Sequence, residues 1–152
     1  MIWIGIDPGA KGGYAQIRKY GNGQIDAMVF PWANDEFTDF IRDVPLDMED
    51  VRCAVEKVGA VHGNGIVSMF NFGKNAGFIE GVLEAFNLPY QLIPPATWKR
   101  EFSLIGKDKK ASIEVCKRLF PDVRLKRTDK CTTDSDGMAE SLLIAEWGRR
   151  HL

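Results

Sequence analysis

The chain has 152 residues, 45% of them apolar and 27% charged, which are the proportions of an ordinary globular protein. One domain over residues 1–152 with a single sizeable core is expected. No apolar run approaches the roughly 18 residues of a membrane span, and the first residues run straight into a strand pattern, so neither a membrane segment nor a leader peptide is expected. Cys53, Cys116 and Cys131 are odd in number and far apart, with no CxxC or Cys/His metal spacing. They point to reduced thiols in a cytoplasmic compartment.

The net charge of −1 hides an asymmetry. Between Trp98 and Lys130 eleven Lys/Arg stand against five Asp/Glu, leaving that third of the chain at +6 and the remainder at −7. A basic third beside an acidic remainder suggests a polyanionic partner.

In chain order, Ile2-Trp3-Ile4-Gly5-Ile6 reads as a buried strand, ended by Asp7 and the turn Pro8-Gly9. Gly12-Gly13 opens a second run, Tyr14 to Arg18, and Tyr20-Gly21-Asn22-Gly23 leads to a third, Ile25 to Phe30. Short strands joined by glycine-rich turns predict an antiparallel meander. Asn34 or Asp35 can cap a short helix with Phe37, Phe40 and Ile41 on one face. Val51 to Val58 reads as a further strand carrying Glu56.

Asn64 to Phe86 is the longest helical pattern. Gly73, Gly77 and Gly81 each cost it about 1 kcal/mol of helix propensity relative to Ala. Glycines on one face imply close approach of another backbone, from the sheet or from a second copy of the chain. Leu88 to Ile93 gives a strand, and Pro95 is suited to the first turn of a helix over Ala96 to Phe102. A basic helix follows from Asp108 to Phe120. Pro121 to Thr133 reads as a mobile polar loop, and a last helix spans Asp136 to Arg150. These elements fit an α/β fold: a mixed five-stranded sheet flanked by helices.

Two strands end in acids, Asp7 and Glu56. Asp136 and Glu140, four apart, share a helix face with Cβ atoms about 5–6 Å apart, beside that helix's apolar side. Asp134 and Asp136 can alternatively cap the helix, and Glu140 can be a solvated surface position. If the four acids converge at one rim, their mutual repulsion calls for divalent cations, and oxygen-only ligands suit Mg²⁺ or Mn²⁺. Two such ions form the clamp used for in-line attack of water on a phosphodiester.

Several stretches together resemble the RuvC-type Holliday junction resolvases of the ribonuclease H-like superfamily, the small phage-type members most of all. They are Ile4-Gly5-Ile6-Asp7-Pro8-Gly9, Val55-Glu56-Lys57-Val58 and Pro94-Pro95-Ala96-Thr97-Trp98-Lys99. Then come Gly106-Lys107-Asp108-Lys109-Lys110-Ala111-Ser112, Leu119-Phe120-Pro121, and the closing run Asp136 to Ala145 with Glu140 inside it. The ordered set is far more specific than any one of them. The resemblance implies a ribonuclease H-like fold, with Asp7, Glu56, Asp136 and Glu140 in the four metal-ligand positions and two Mg²⁺ per site, for which Mn²⁺ substitutes. It also implies a homodimer acting on four-way or other branched DNA, leaving 5′-phosphate and 3′-hydroxyl ends, in the host cytoplasm for a phage protein.

Lys107, Lys109 and Lys110 are then expected at DNA phosphates, with Lys99, Arg100 and His62 as weaker contacts. Trp98 is expected in the core. The chain departs from the bacterial pattern in two places. The last two acids are four apart instead of three, which keeps Asp134 as a substitute for Asp136. Gly59 stands where an aromatic residue is expected, which leaves His62 or Phe70 to act as a wedge. Two other readings compete: an actin- or sugar-kinase-like ATP-binding protein, disfavoured by the short chain, and a non-catalytic junction-binding protein on the same fold.

Overall fold

β1 (Ile2–Asp7) is the middle strand of a five-stranded mixed sheet ordered β3-β2-β1-β4-β5, in a computed structural model that describes residues 1–59 and 65–152. β2 (Gly13–Lys19) and β3 (Ile25–Pro31) run antiparallel as the expected meander, with Asp7 opposite Gly13 and Ile17 opposite Ala27. β4 (Val51–Glu56) and β5 (Tyr90–Ile93) lie parallel on the other side of β1. β4 stops at Glu56, two residues short of the expected end at Val58. Beyond it only the Lys57 N–H continues the ladder, donating to the Ile93 carbonyl at 2.8 Å. Leu88 is buried ahead of β5 and lies outside it.

Strand periodicity sorts β1 cleanly, because successive side chains point to opposite faces. Ile2, Ile4 and Ile6, all fully buried, join one core with α1 (Asn34–Arg42) and α2 (Ile66–Ala85). There Tyr14 sits among Phe30, Trp32, Phe37 and Phe40, with ring centroids 5.0–6.0 Å away. Trp3 joins the other core, built from α3 (Pro95–Glu101), α4 (Lys109–Leu119) and α5 (Asp136–His151). Gly5 lies on this second face. A Cβ there would meet the Ala145 nitrogen and the Ser141 carbonyl oxygen at 2.2 Å, so α5 lies directly on the backbone of β1.

Helix ends follow local chemistry. Pro95 opens α3, and Asp108 caps α4 by accepting from the N–H groups of Lys110 and Ala111. α1 departs from expectation. Its cap is Ala33, while Asn34 is the first helical residue and its Oδ1 accepts from the Trp32 indole at 2.9 Å. The stretch from 121 to 133 is also tied down. Leu125 is buried, its carbonyl accepts from the Ser135 N–H at 2.7 Å, and Arg127 donates to the carbonyls of Lys11 and Gly12 at 2.9 and 3.1 Å.

α2 buries Ile79 and Leu83 on the sheet. Cβ atoms built at Gly73, Gly77 and Gly81 would meet nothing within 4 Å. Close approach to this sheet is therefore not the reason for those glycines, and Phe70 is 70% exposed instead of packed. Among the described residues no helix is long and apolar enough to cross a membrane.

Candidate active site

The parallel register Ile6↔Val55 sets Asp7 and Glu56 side by side at the carboxyl ends of adjacent strands. Both lie on the α5 face, since Asp7 alternates with Gly5 and Glu56 with Ala54. The first turn of α5 is pressed onto the same rim. A Cβ on Gly137 would stand 2.1 Å from the Lys11 carbonyl oxygen, so only glycine lets the helix start against the β1–β2 turn. The Ser135 hydroxyl caps α5, accepting from the Met138 N–H at 3.4 Å. That frees both flanking acids from capping. Asp136 pairs with Lys109 at 3.0 Å, while Asp134 turns to Lys117 on the neighbouring helix.

Charge effects link three of the acids. Burial pushes the Asp7 carboxyl up to about 7. The Gly9 N–H, 3.0 Å away, opposes the shift, while Glu56 and Glu140 add to it by repulsion. Glu56 is also raised by burial, against the pull of the Trp98 indole and Lys99, and Glu140 repels it as well. Asp7, Glu56 and Glu140 therefore sense one another directly. Asp136 joins them through Lys109, whose pKa is raised chiefly by Asp136 and further by Glu140 and Asp7.

Glu56, Glu140 and the turn after Asp7 each have a fixed support. The Trp98 indole, fully buried in α3, donates to Glu56 Oε2 at 2.8 Å. The buried Ser112 hydroxyl of α4 donates to Glu140 Oε1 at 3.1 Å. The Asn75 amide of α2 donates to the Pro8 carbonyl at 2.5 Å and pins the turn after Asp7. Lys99 reaches within 3.9 Å of Glu140 and lies 5.1 Å from the Trp98 ring centroid.

Among the described residues no three His, Cys, Asp or Glu side chains are gathered closely enough to hold a metal ion. Two ammonium groups pair with the α5 acids instead. The donor chemistry still fits a hard divalent cation: Asp7, Glu56 and Glu140 repel one another, Asp136 shares Lys109 with them, and Asp7 is buried with too little positive charge to keep its pKa low.

Of the expected DNA contacts, Lys107, Lys109, Lys110 and Arg100 are exposed, and Lys99 is partly covered beside the acids. His62 lies outside the described residues. Ser112, Asn75 and Arg127 escaped the sequence reading. Ser112 carried a usable signal, since it lies three residues after Lys109 on the same helix face. Asn75 and Arg127 act on turns distant in sequence and carried none.

With this geometry in hand, the chain can be set beside solved structures. Thermus thermophilus RuvC in complex with a Holliday junction substrate superposes with a TM-score of 0.64 at 14% identity, covering 99% of this chain and 97% of that one. This chain has the RuvC fold. A second Thermus thermophilus RuvC structure matches with a TM-score of 0.62 at 14% identity, over 99% and 96% of the two chains. The yeast mitochondrial Holliday junction resolvase Ydc2 matches with a TM-score of 0.53 at 16% identity, over 93% and 75%. No protein-family model and no curated protein matches the chain by sequence. The RuvC-like fold that the motifs suggested, a mixed five-stranded sheet flanked by helices, is thus the architecture observed.

Proposed function

We propose that the chain is a Mg²⁺-dependent endonuclease that resolves Holliday junctions and related branched DNA, leaving 5′-phosphate and 3′-hydroxyl ends. What supports this reading is that Asp7 and Glu56 end adjacent parallel strands of a RuvC fold, with Glu140 close enough to raise both carboxyls by repulsion and Asp136 paired with Lys109. The match to a RuvC structure solved with a Holliday junction supports the substrate class.

Asp7, Glu56, Asp136 and Glu140 would hold two Mg²⁺ or Mn²⁺. When bound, these ions supply a lowered pKa for the attacking water and positive charge for the leaving 3′ oxygen. Trp98 and Ser112 orient Glu56 and Glu140. Lys107 and Lys110, exposed in the turn before α4 and in its first turn, bind flanking phosphates, which sets position without reading sequence. Lys99 stands at the acids to stabilise charge developing on the scissile phosphate. A homodimer would place two such sites for opposed cuts. Support for a contact surface comes from the open glycine face of α2, where Ile66 is 89% exposed and Val67 73%.

The test is cleavage of end-labelled four-way junction, flap, fork and duplex DNA with and without Mg²⁺. Paired, religatable nicks in the junction are expected, with a loss on the order of 10³-fold or more for Asp7→Asn. If Asp7→Asn cuts as fast as the parent, the catalytic assignment fails. Tight junction binding with no cutting in Mg²⁺ or Mn²⁺ would leave a binding protein on the same fold.

A further inference from the structure

α4 meets the acids through two side chains on one face, three residues apart. Ser112 holds Glu140 and Lys109 holds Asp136, so the first turn of α4 is docked on the start of α5 through these two acids. The two contacts differ in kind. Ser112 is 2% exposed and fixed by packing. The Lys109 side chain is 81% exposed, and a pair so open to solvent is weakly held. Asp136, 29% exposed, is also the more accessible of the two acids, against 16% for Glu140. On the far side, Lys99 is more enclosed and lies over the Trp98 ring.

We propose that Lys109 is a displaceable counterion, which holds Asp136 while the cluster is free of metal and yields it to a divalent cation. The inference rests on the nuclease reading above. A lysine ammonium offers only donors and cannot share in ligating a cation, so the two compete for the Asp136 carboxylate. Displaced Lys109 remains anchored on α4, because Ser112 keeps that helix against Glu140. Glu140 and Asp7, which also act on Lys109, would then be occupied by metal, leaving it a phosphate of bound DNA as partner. One lysine would thus neutralise the acids before metal binds and position the phosphate afterwards.

The test is calorimetric titration of Mn²⁺ into the full chain without DNA, at low salt and pH 8. Lys109→Met is expected to bind Mn²⁺ about three- to fivefold more tightly than the parent, the scale of a competing exposed ion pair. Lys110→Met removes the same charge one residue away, from a lysine that makes no ion pair among the described residues, and is expected to bind Mn²⁺ as the parent does. Metal-free Lys109→Met should melt below the parent and gain more on adding Mn²⁺. Unchanged or weaker binding by Lys109→Met overturns the proposal, as does equal tightening in Lys110→Met, which would mean that net charge alone acts. A parent protein that binds no Mn²⁺ defeats the nuclease reading itself. A parent that binds Mn²⁺ and cuts a junction, with Lys109→Met binding no tighter, defeats only this inference.

Discussion

The α1/α2 face of the sheet is closed by apolar and aromatic side chains around Tyr14, whereas the α3/α4/α5 face ends in a rim of carboxylates. Both faces bury a core, and the second carries buried carboxylates at its strand ends. The difference lies in what covers the strand ends. On the first face Ile2, Ile4 and Ile6 pack into an apolar and aromatic cluster, with Gln16 and Arg18 of β2 opposite Ile4 and Ile2. On the second, the start of α5 and the buried indole of Trp98 bring polar groups to Asp7 and Glu56. An apolar core and a carboxylate rim are thus separated by the strand's period of two.

The contrast can be broken most severely at Gly5. Gly5→Leu drives a side chain into the backbone of α5 and should cost more than about 4 kcal/mol, losing the cooperative unfolding transition. Ile4→Val, one residue away on the other face, should cost only about 1 kcal/mol by urea unfolding. Loss of folding in neither variant would show that α5 does not rest on β1.

Next in size is the pH dependence of the metal-free protein. The folded Asp7 carboxyl lies at about 7, against 3.8 without the fold's influence, so between those values the folded state holds the extra proton. Stability from this group is complete below about pH 4 and is lost as pH rises through about 7, amounting to roughly 2–4 kcal/mol. Glu56 is raised too and acts in the same direction. Asp7→Asn should flatten the fall between pH 5 and pH 8, and added Mg²⁺ should reverse it in the parent. A parent whose metal-free melting temperature is level across that range would contradict the burial of Asp7.

Trp98→Phe keeps the ring but removes the donor to Glu56. A loss of about 1–2 kcal/mol is expected, together with a further rise in the Glu56 pKa, readable by NMR titration. The smallest effect is expected at Phe70, which is 70% exposed. Phe70→Ala should change unfolding of the isolated chain by under about 0.5 kcal/mol. A larger loss that grows with protein concentration would place Phe70 in a contact between copies.

Much of the fold could be read from local pattern. The three-strand meander, the long α2 pattern and the helix opened by Pro95 follow from alternation, turn residues and proline, all short-range effects. The acids were legible as residues at element ends. Their partners were less so, because Trp98–Glu56 and Ser112–Glu140 join positions 42 and 28 residues apart. The 121–133 stretch read as mobile from its composition. Composition says nothing of Arg127 reaching the carbonyls of Lys11 and Gly12 more than 110 residues away.

The sequence by itself determined that Asp7 and Glu56 end strands, that Asp136 and Glu140 share a helix face, and that the basic third stands apart from the acids. Each of these depends on spacings within one element. Only the tertiary structure decided that Asp136 pairs with Lys109, which also senses Glu140 and Asp7, while Asp134 pairs with Lys117, because those contacts depend on Ser135 taking the cap and on how α4 packs. It likewise decided that Lys99 and Lys109 stand at the acids, since charges far apart in the chain meet only where helices pack on a common rim.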